Sequence, residues 1–171
     1  MTELIGRAAA GDEAILLFLL GRRHPRLDRL TQLLTHLGGA AATVLAAGVF
    51  LTLAPHAEAA RVAAFALGTS FLAAQVLKRS ISRPRPVLPV GMRSLIEAPD
   101  RFSFPSGHAA AALSVALGLG LALPGIAAVG LVALGLLIGI TRCYLGVHYP
   151  GDVMVGWCLA LIGVLLGVRV F

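Results

Sequence analysis

Apolar residues run in long unbroken stretches along this chain, separated by short polar breaks. No Asp, Glu, Lys or Arg stands between Arg29 and Glu58. About 20 apolar residues suffice to cross a bilayer, so Leu30 to Leu53 reads as one spanning helix. Val62 to Leu77 reads as a second, shorter span, with Arg61 and Lys78 able to snorkel to the two interfaces. From Phe102 to Thr141 the only titratable side chain is His108, and the stretch is too long for one crossing. Pro124-Gly125 marks a turn there, which predicts a hairpin of two helices. Val153 to Val168 is the last apolar run. Ala8 to Leu20 is shorter, since about 13 residues of helix rise only about 20 Å. That favours a helix lying in the interface over a further crossing. The expected fold is all-α, a polytopic transmembrane helix bundle of five spans plus an N-terminal interfacial helix, or six spans, in a single domain over 1–171.

Composition supports this reading. The 171 residues are 58% hydrophobic and 13% charged, against roughly 25% charged in a soluble domain. Fourteen Lys and Arg face eight Asp and Glu. Such a balance suits nucleic acid, an anionic membrane surface or a phosphorylated substrate, and the apolar bulk selects the last two over nucleic acid. Cys143 and Cys158 form no CxxC pair, so neither a disulfide nor a zinc site is expected. Gly135 with Gly139, and Gly163 with Gly167, have the spacing that lets membrane helices approach closely, read here as tight packing rather than a dimer motif.

Three polar clusters interrupt the apolar pattern. The segment Lys78 to Pro105 carries Lys78, Arg79, Arg83, Arg85, Arg93 and Arg101, and Arg83-Pro84-Arg85-Pro86 holds its backbone extended. Taken alone, this basic loop would suit anionic headgroups as well as an enzyme. Pro105-Ser106-Gly107-His108 precedes a long apolar helix, so Ser106 is a candidate N-cap and the open helix end suits an oxyanion. Gly107 admits close backbone approach, and His108 sits in the first turn, where it can meet a leaving oxygen. Finally Thr141-Arg142 is followed by His148 and Asp152. A carboxylate four residues after a histidine can hold one ring nitrogen protonated and leave the other free to attack. Arg142 offers a planar fork of donors to phosphate oxygens. By alternation of the spans, all three clusters lie at one end of the bundle.

These residues resemble the three motifs of the type 2 phosphatidic acid phosphatase (PAP2) superfamily. They stand as Lys78 with Arg85-Pro86, as Pro105-Ser106-Gly107-His108, and as Arg142 with His148 and Asp152, in the family's order over residues 78–152. One position departs, Thr141 standing where the family usually has Ser. The resemblance implies a membrane lipid phosphatase, usually of six spans. It implies that His148 attacks phosphorus to form a phosphohistidine, Asp152 orients it, and His108 protonates the leaving alkoxide. Lys78, Arg85, Ser106, Gly107 and Arg142 would cradle the phosphoryl oxygens.

No cofactor or metal is expected. His108, His148 and Asp152 have the donor types of a facial triad, but Lys78, Arg85 and Arg142 converging on one pocket would repel a cation. Arg22, Arg23, Arg26, Arg29 and the basic loop fall at the motif end, with Arg61 and Arg169 opposite. The positive-inside rule therefore places the site on the cytoplasmic face of the cell's inner membrane. The expected partners are membrane lipids and a lipid phosphate substrate: phosphatidate, phosphatidylglycerol phosphate or a polyprenyl-linked phosphate. The rival reading is a non-enzymatic membrane protein that binds anionic lipid through its basic loop.

Overall fold

The computed structural model describes the backbone of all residues but 1, 55, 56 and 99, and side chains from Ala10 onward apart from the last three. Among the described residues there are seven helices: α1 (Thr2–Leu20), α2 (Pro25–His36), α3 (Ala40–Leu53), α4 (Glu58–Ile81), α5 (Gly107–Gly120), α6 (Gly125–Tyr144) and α7 (Pro150–Val170). The three helices α4, α6 and α7 are each long and apolar enough to cross a membrane. The expected span from Leu30 to Leu53 is instead broken into α2 and α3, which bend by 49°. The break falls at Gly38-Gly39, and its cause is tertiary. A Cβ at Gly38 would meet Ile138 Cγ2 at 2.5 Å and the His108 carbonyl at 3.2 Å, so only glycine lets the chain pass there.

Helix α5 is the centre of the bundle, with Ala109 to Val115 buried all round. It packs against α4, α6 and α7. Ser114 meets Ser70 of α4 at 2.9 Å, which satisfies two hydroxyls inside the apolar interior. The glycines read as packing positions serve that purpose within the chain. Gly135 faces Ala116 of α5, Gly139 faces Trp157 of α7, and Gly163 and Gly167 face Ala66 and Val62 of α4. The hairpin turn lies where the sequence placed it, with Pro124 as N-cap of α6. By rise alone, the 14 residues of α5 span about 21 Å and the 20 of α6 about 30 Å. The N-terminus of α5 therefore stops about 9 Å short of the C-terminus of α6, leaving a recess at that end of the bundle.

The loop 82–106 is fastened over this recess. Helix α4 ends as Ser82 turns left-handed (φ 49°) and Pro84 forbids further helix. Ser103 N–H donates to the Arg83 carbonyl at 2.8 Å, and Leu95 N–H to the Leu145 carbonyl at 3.0 Å. Helix α1 lies against the same end. Leu16 and Leu20 are buried with Ala109, Cys143 and Val153. Asp12 meets the start of α7 at Gly151, and Arg23 meets the end of α6 at Tyr144. Asp12 within α1 and Arg23 just beyond it thus both touch that end of the bundle.

Candidate active site

The recess contains groups that the sequence separates by up to 70 positions. Lys78 arrives on the last turn of α4, Arg85 on the extended loop, Gly107 and His108 on the first turn of α5, and His148 on the connection between α6 and α7. All five line a single cavity of about 560 Å³. Below them the cavity wall is apolar, built from Val44, Ala47 and Leu51 of α3, Leu67 and Phe71 of α4, and Ala111 of α5. A polar head thus opens onto a groove that suits a hydrocarbon chain.

His148 is almost completely buried. Its Nε2 lies 3.4 Å from Arg85 Nη1, and its Nδ1 faces Asp152 Oδ2 at 3.6 Å. The second distance exceeds a hydrogen bond, and Nδ1 has no other hydrogen-bond partner among the described residues. Burial lowers the His148 pKa from the usual 6.5 to about 4, and the charges of Arg142 and Arg85 push the same way against Asp152. The ring is therefore a neutral base at physiological pH. Asp152 is fully buried, accepting from Tyr149 N–H at 2.8 Å and from Arg83 Nη1 at 2.9 Å.

Arg85 donates from Nη1 to the Val147 carbonyl at 2.7 Å, from Nε to the Asp100 carbonyl at 2.7 Å, and from Nη2 to Asp100 Oδ1 at 3.0 Å. Lys78 donates to the other Asp100 oxygen at 2.8 Å. Partial burial works against the charged form of Asp100, but the Lys78 hydrogen bond and the charges of Lys78 and Arg85 hold its carboxyl below the usual range.

The pattern of the PAP2 superfamily matches residues 59–171. The chain belongs to the PAP2 superfamily. It is similar to LpxE of Aquifex aeolicus, with a TM-score of 0.81 at 27% identity, covering 91% of this chain and 93% of that one. It is also similar to a transmembrane PAP2 type phosphatidylglycerolphosphate phosphatase from Bacillus subtilis, with a TM-score of 0.78 at 28% identity, covering 95% and 85%. A decaprenylphosphoryl-5-phosphoribose phosphatase of Mycobacterium tuberculosis is 40% identical over 90 residues, covering 50% of this chain and 46% of that protein. The chain thus spans about half the length of that curated relative. With its apolar helices and these transmembrane neighbours, this PAP2 protein is an integral membrane protein.

Three motif residues stand apart from the cavity wall. Ser106 is fully buried; its N–H donates to the Asp152 carbonyl at 2.9 Å, and its hydroxyl caps α5 by accepting from Ala109 N–H at 3.4 Å. The Ser106 N–H is thus engaged, and the open end of α5 is carried by Gly107 and His108. Arg142 is buried behind the wall, donating to Thr35 Oγ1 at 2.6 Å, while its Nε has no hydrogen-bond partner among the described residues. Asp152 sits behind His148. Four contributors lay outside the sequence reading: Asp12, Asp100 and Thr35 were not singled out, and Arg83 counted only as part of the basic loop. None of them carried a specific signal, since Asp12 stands beside Glu13 in the run Ala8 to Leu20 and an acid there does not single out either one.

Proposed function

We propose that this PAP2 protein is a lipid phosphate phosphatase that works through a phosphohistidine. The observation that carries the reading is the placement of His148, a neutral buried imidazole lining the head of an apolar groove with its Nε2 beside Arg85. The lipid tail occupies the groove and presents its phosphate to Lys78, Arg85 and the open end of α5. His148 Nε2 attacks phosphorus, the bond from phosphorus to the lipid oxygen breaks, and His108, which enters the cycle as an imidazolium beside the bound phosphate dianion, gives its proton to the departing alkoxide. Water then attacks the phosphohistidine, giving its proton to His108 as the phosphorus–nitrogen bond breaks to release inorganic phosphate. Asp152 steadies the positive charge that the phosphorylated ring carries. Fixed cations spread the charge of the transferring group, which is the main demand of phosphoryl transfer. Ser106 supports α5 and the Asp152 backbone, and Arg142 adds positive potential from behind the wall.

The named activities of its relatives support a phosphatidylglycerol phosphate or a polyprenyl-linked phosphate as substrate, with phosphatidate as a further candidate of the same chemistry. The basic residues at the motif end support a site on the cytoplasmic face of the inner membrane. The test is phosphate release by the detergent-purified protein from a panel of lipid phosphates and pyrophosphates, with excess chelator present. Turnover that persists with chelator and is lost in His148→Ala is expected. A fully active His148→Ala protein would overturn the mechanism.

A further inference from the structure

The carboxylate behind His148 belongs to a larger set. Arg83 gives Nη1 to Asp152 Oδ1 at 2.9 Å and Nη2 to Asp12 Oδ2 at 2.8 Å, and its guanidinium lies over the Tyr149 ring at 4.1 Å from the centroid. Asp12 uses its other oxygen to accept the Gly151 N–H at 2.7 Å, at the open end of α7. A residue of α1 is thereby joined, through Arg83, to the orienting carboxylate of the site. Neither Asp12 nor Arg83 occupies a position that the three motifs specify.

We propose that Asp12 and Arg83 are positioning residues for phosphoryl transfer: Asp12 balances the charge of Arg83, so that Asp152 keeps a net negative charge directed at His148. The proposal rests on the phosphatase reading above. With Arg83 alone, Asp152 would form a neutral pair and lose much of its pull on a cationic imidazole. With Asp12 added, the set of two carboxylates and one guanidinium carries one negative charge. That charge matters because of what else faces His148: Arg85 from the loop, Arg142 from α6, His108 from α5 and Lys78 from α4, with Asp100 masking two of these cations. A phosphorylated, positively charged ring among such neighbours needs a counter-charge, and interior electrostatics are weakly screened. The geometric role is separate from simple fastening. Asp12 and Arg83 keep only 15% and 27% of their side-chain surface exposed, so breaking the pair also costs stability, and the direction of a pH shift in activity is what separates the electrostatic role from fastening.

The experiment measures kcat/KM against pH for the full-length protein in detergent, on a lipid phosphate that it turns over. The variants are Asp12→Asn, Arg83→Gln, the double variant and Asp12→Glu, with His148→Ala as the control. Asp12→Asn still accepts from Gly151 N–H, so it removes charge with little change of shape. It is expected to lower kcat/KM about tenfold, the scale for a partner that orients a catalytic group, and to move the acid limb to lower pH by roughly half a unit. Arg83→Gln is expected to move that limb upward, the double variant to return it near the wild-type position, and Asp12→Glu to restore most of the rate. Both single variants shifting the limb the same way, or Asp12→Asn keeping the wild-type rate and limb, would overturn the proposal. If Arg83→Gln does not fold, the contrast of Asp12→Asn with Asp12→Glu decides alone. No turnover by the wild type, or full activity of His148→Ala, overturns the phosphatase reading and with it this one, a result distinct from the others.

Discussion

Arg85 and Asp100 are joined at two points, a carboxylate oxygen at 3.0 Å and the Asp100 carbonyl at 2.7 Å. With Lys78 on its second oxygen, the Asp100 carboxylate takes the place at the cavity mouth that a phosphate group would claim. Removing it frees both cations for an anion. Asp100→Asn should therefore bind inorganic phosphate roughly fivefold more tightly, the scale of an exposed ion pair of about 1 kcal/mol. The competitive inhibition constant of phosphate reads this directly. Weaker inhibition would mean that Asp100 instead organises the two cations for substrate.

The groove offers an independent check on the substrate tail. A Cβ at Gly68 or Gly48 meets nothing within 4 Å, and both glycines line the cavity. Gly68→Leu should fold and fill part of the groove. Excluding about two methylenes at roughly 0.8 kcal/mol each would raise KM for a long-chain lipid phosphate about tenfold. A short-chain phosphate ester should be turned over as before, and an equal loss on both substrates would place the tail elsewhere.

Among the described residues, buried Arg142 makes its one side-chain hydrogen bond to Thr35. Thr35→Val keeps the shape and removes the acceptor, leaving a charged donor unsatisfied among residues that are 1% and 2% exposed. The expected loss of stability is about 1–3 kcal/mol, visible as a lower midpoint of thermal unfolding in detergent. Thr35→Ser should restore most of it.

The lowered pKa of His148 gives a signed dependence on pH. Its folded value of about 4 lies below the usual 6.5, so between these values the unfolded chain binds the proton more readily than the folded one. Stability from this group is present above about pH 6.5 and falls as the pH drops toward 4. His148→Gln removes the titration, so its thermal midpoint should fall less than that of the wild type over that window. For activity, the attacking ring stays unprotonated well below pH 6, and the acid limb from this group should lie near 4 rather than near 6.5.

Of the expected spans, those of α4, α6 and α7 were legible because long uncharged runs have one stable place, and the hairpin because Pro124-Gly125 stops one helix and starts the next, although its first arm, α5, has only 14 residues. The break between α2 and α3 was not, since two glycines in an apolar run are weak evidence until the His108 carbonyl and Ile138 are known to press on Gly38. Lys78, Arg85, Gly107, His108 and His148 were all singled out from the sequence, and the fold gathers them around one cavity. Spacing did reveal that Ser106 and Asp152 begin helices, but not that the Ser106 N–H is already taken by the Asp152 carbonyl. Asp12 escaped notice because its partners Arg83 and Gly151 are 71 and 139 residues away, beyond any local pattern.

In the proposed mechanism, the short α5 would place the reacting phosphorus below the rim of the bundle, where the polar head of the cavity meets its apolar wall. The two products of hydrolysis then belong to different phases. With Leu51 and Phe71 on the apolar wall and Asp100 at the polar head of the cavity, the proposed mechanism would return the alcohol to the hydrocarbon and release phosphate to water. Under that mechanism each product would be diluted away from the other as it departs, which disfavours immediate recombination in the site, while the direction of the reaction stays set by the free energy of hydrolysis.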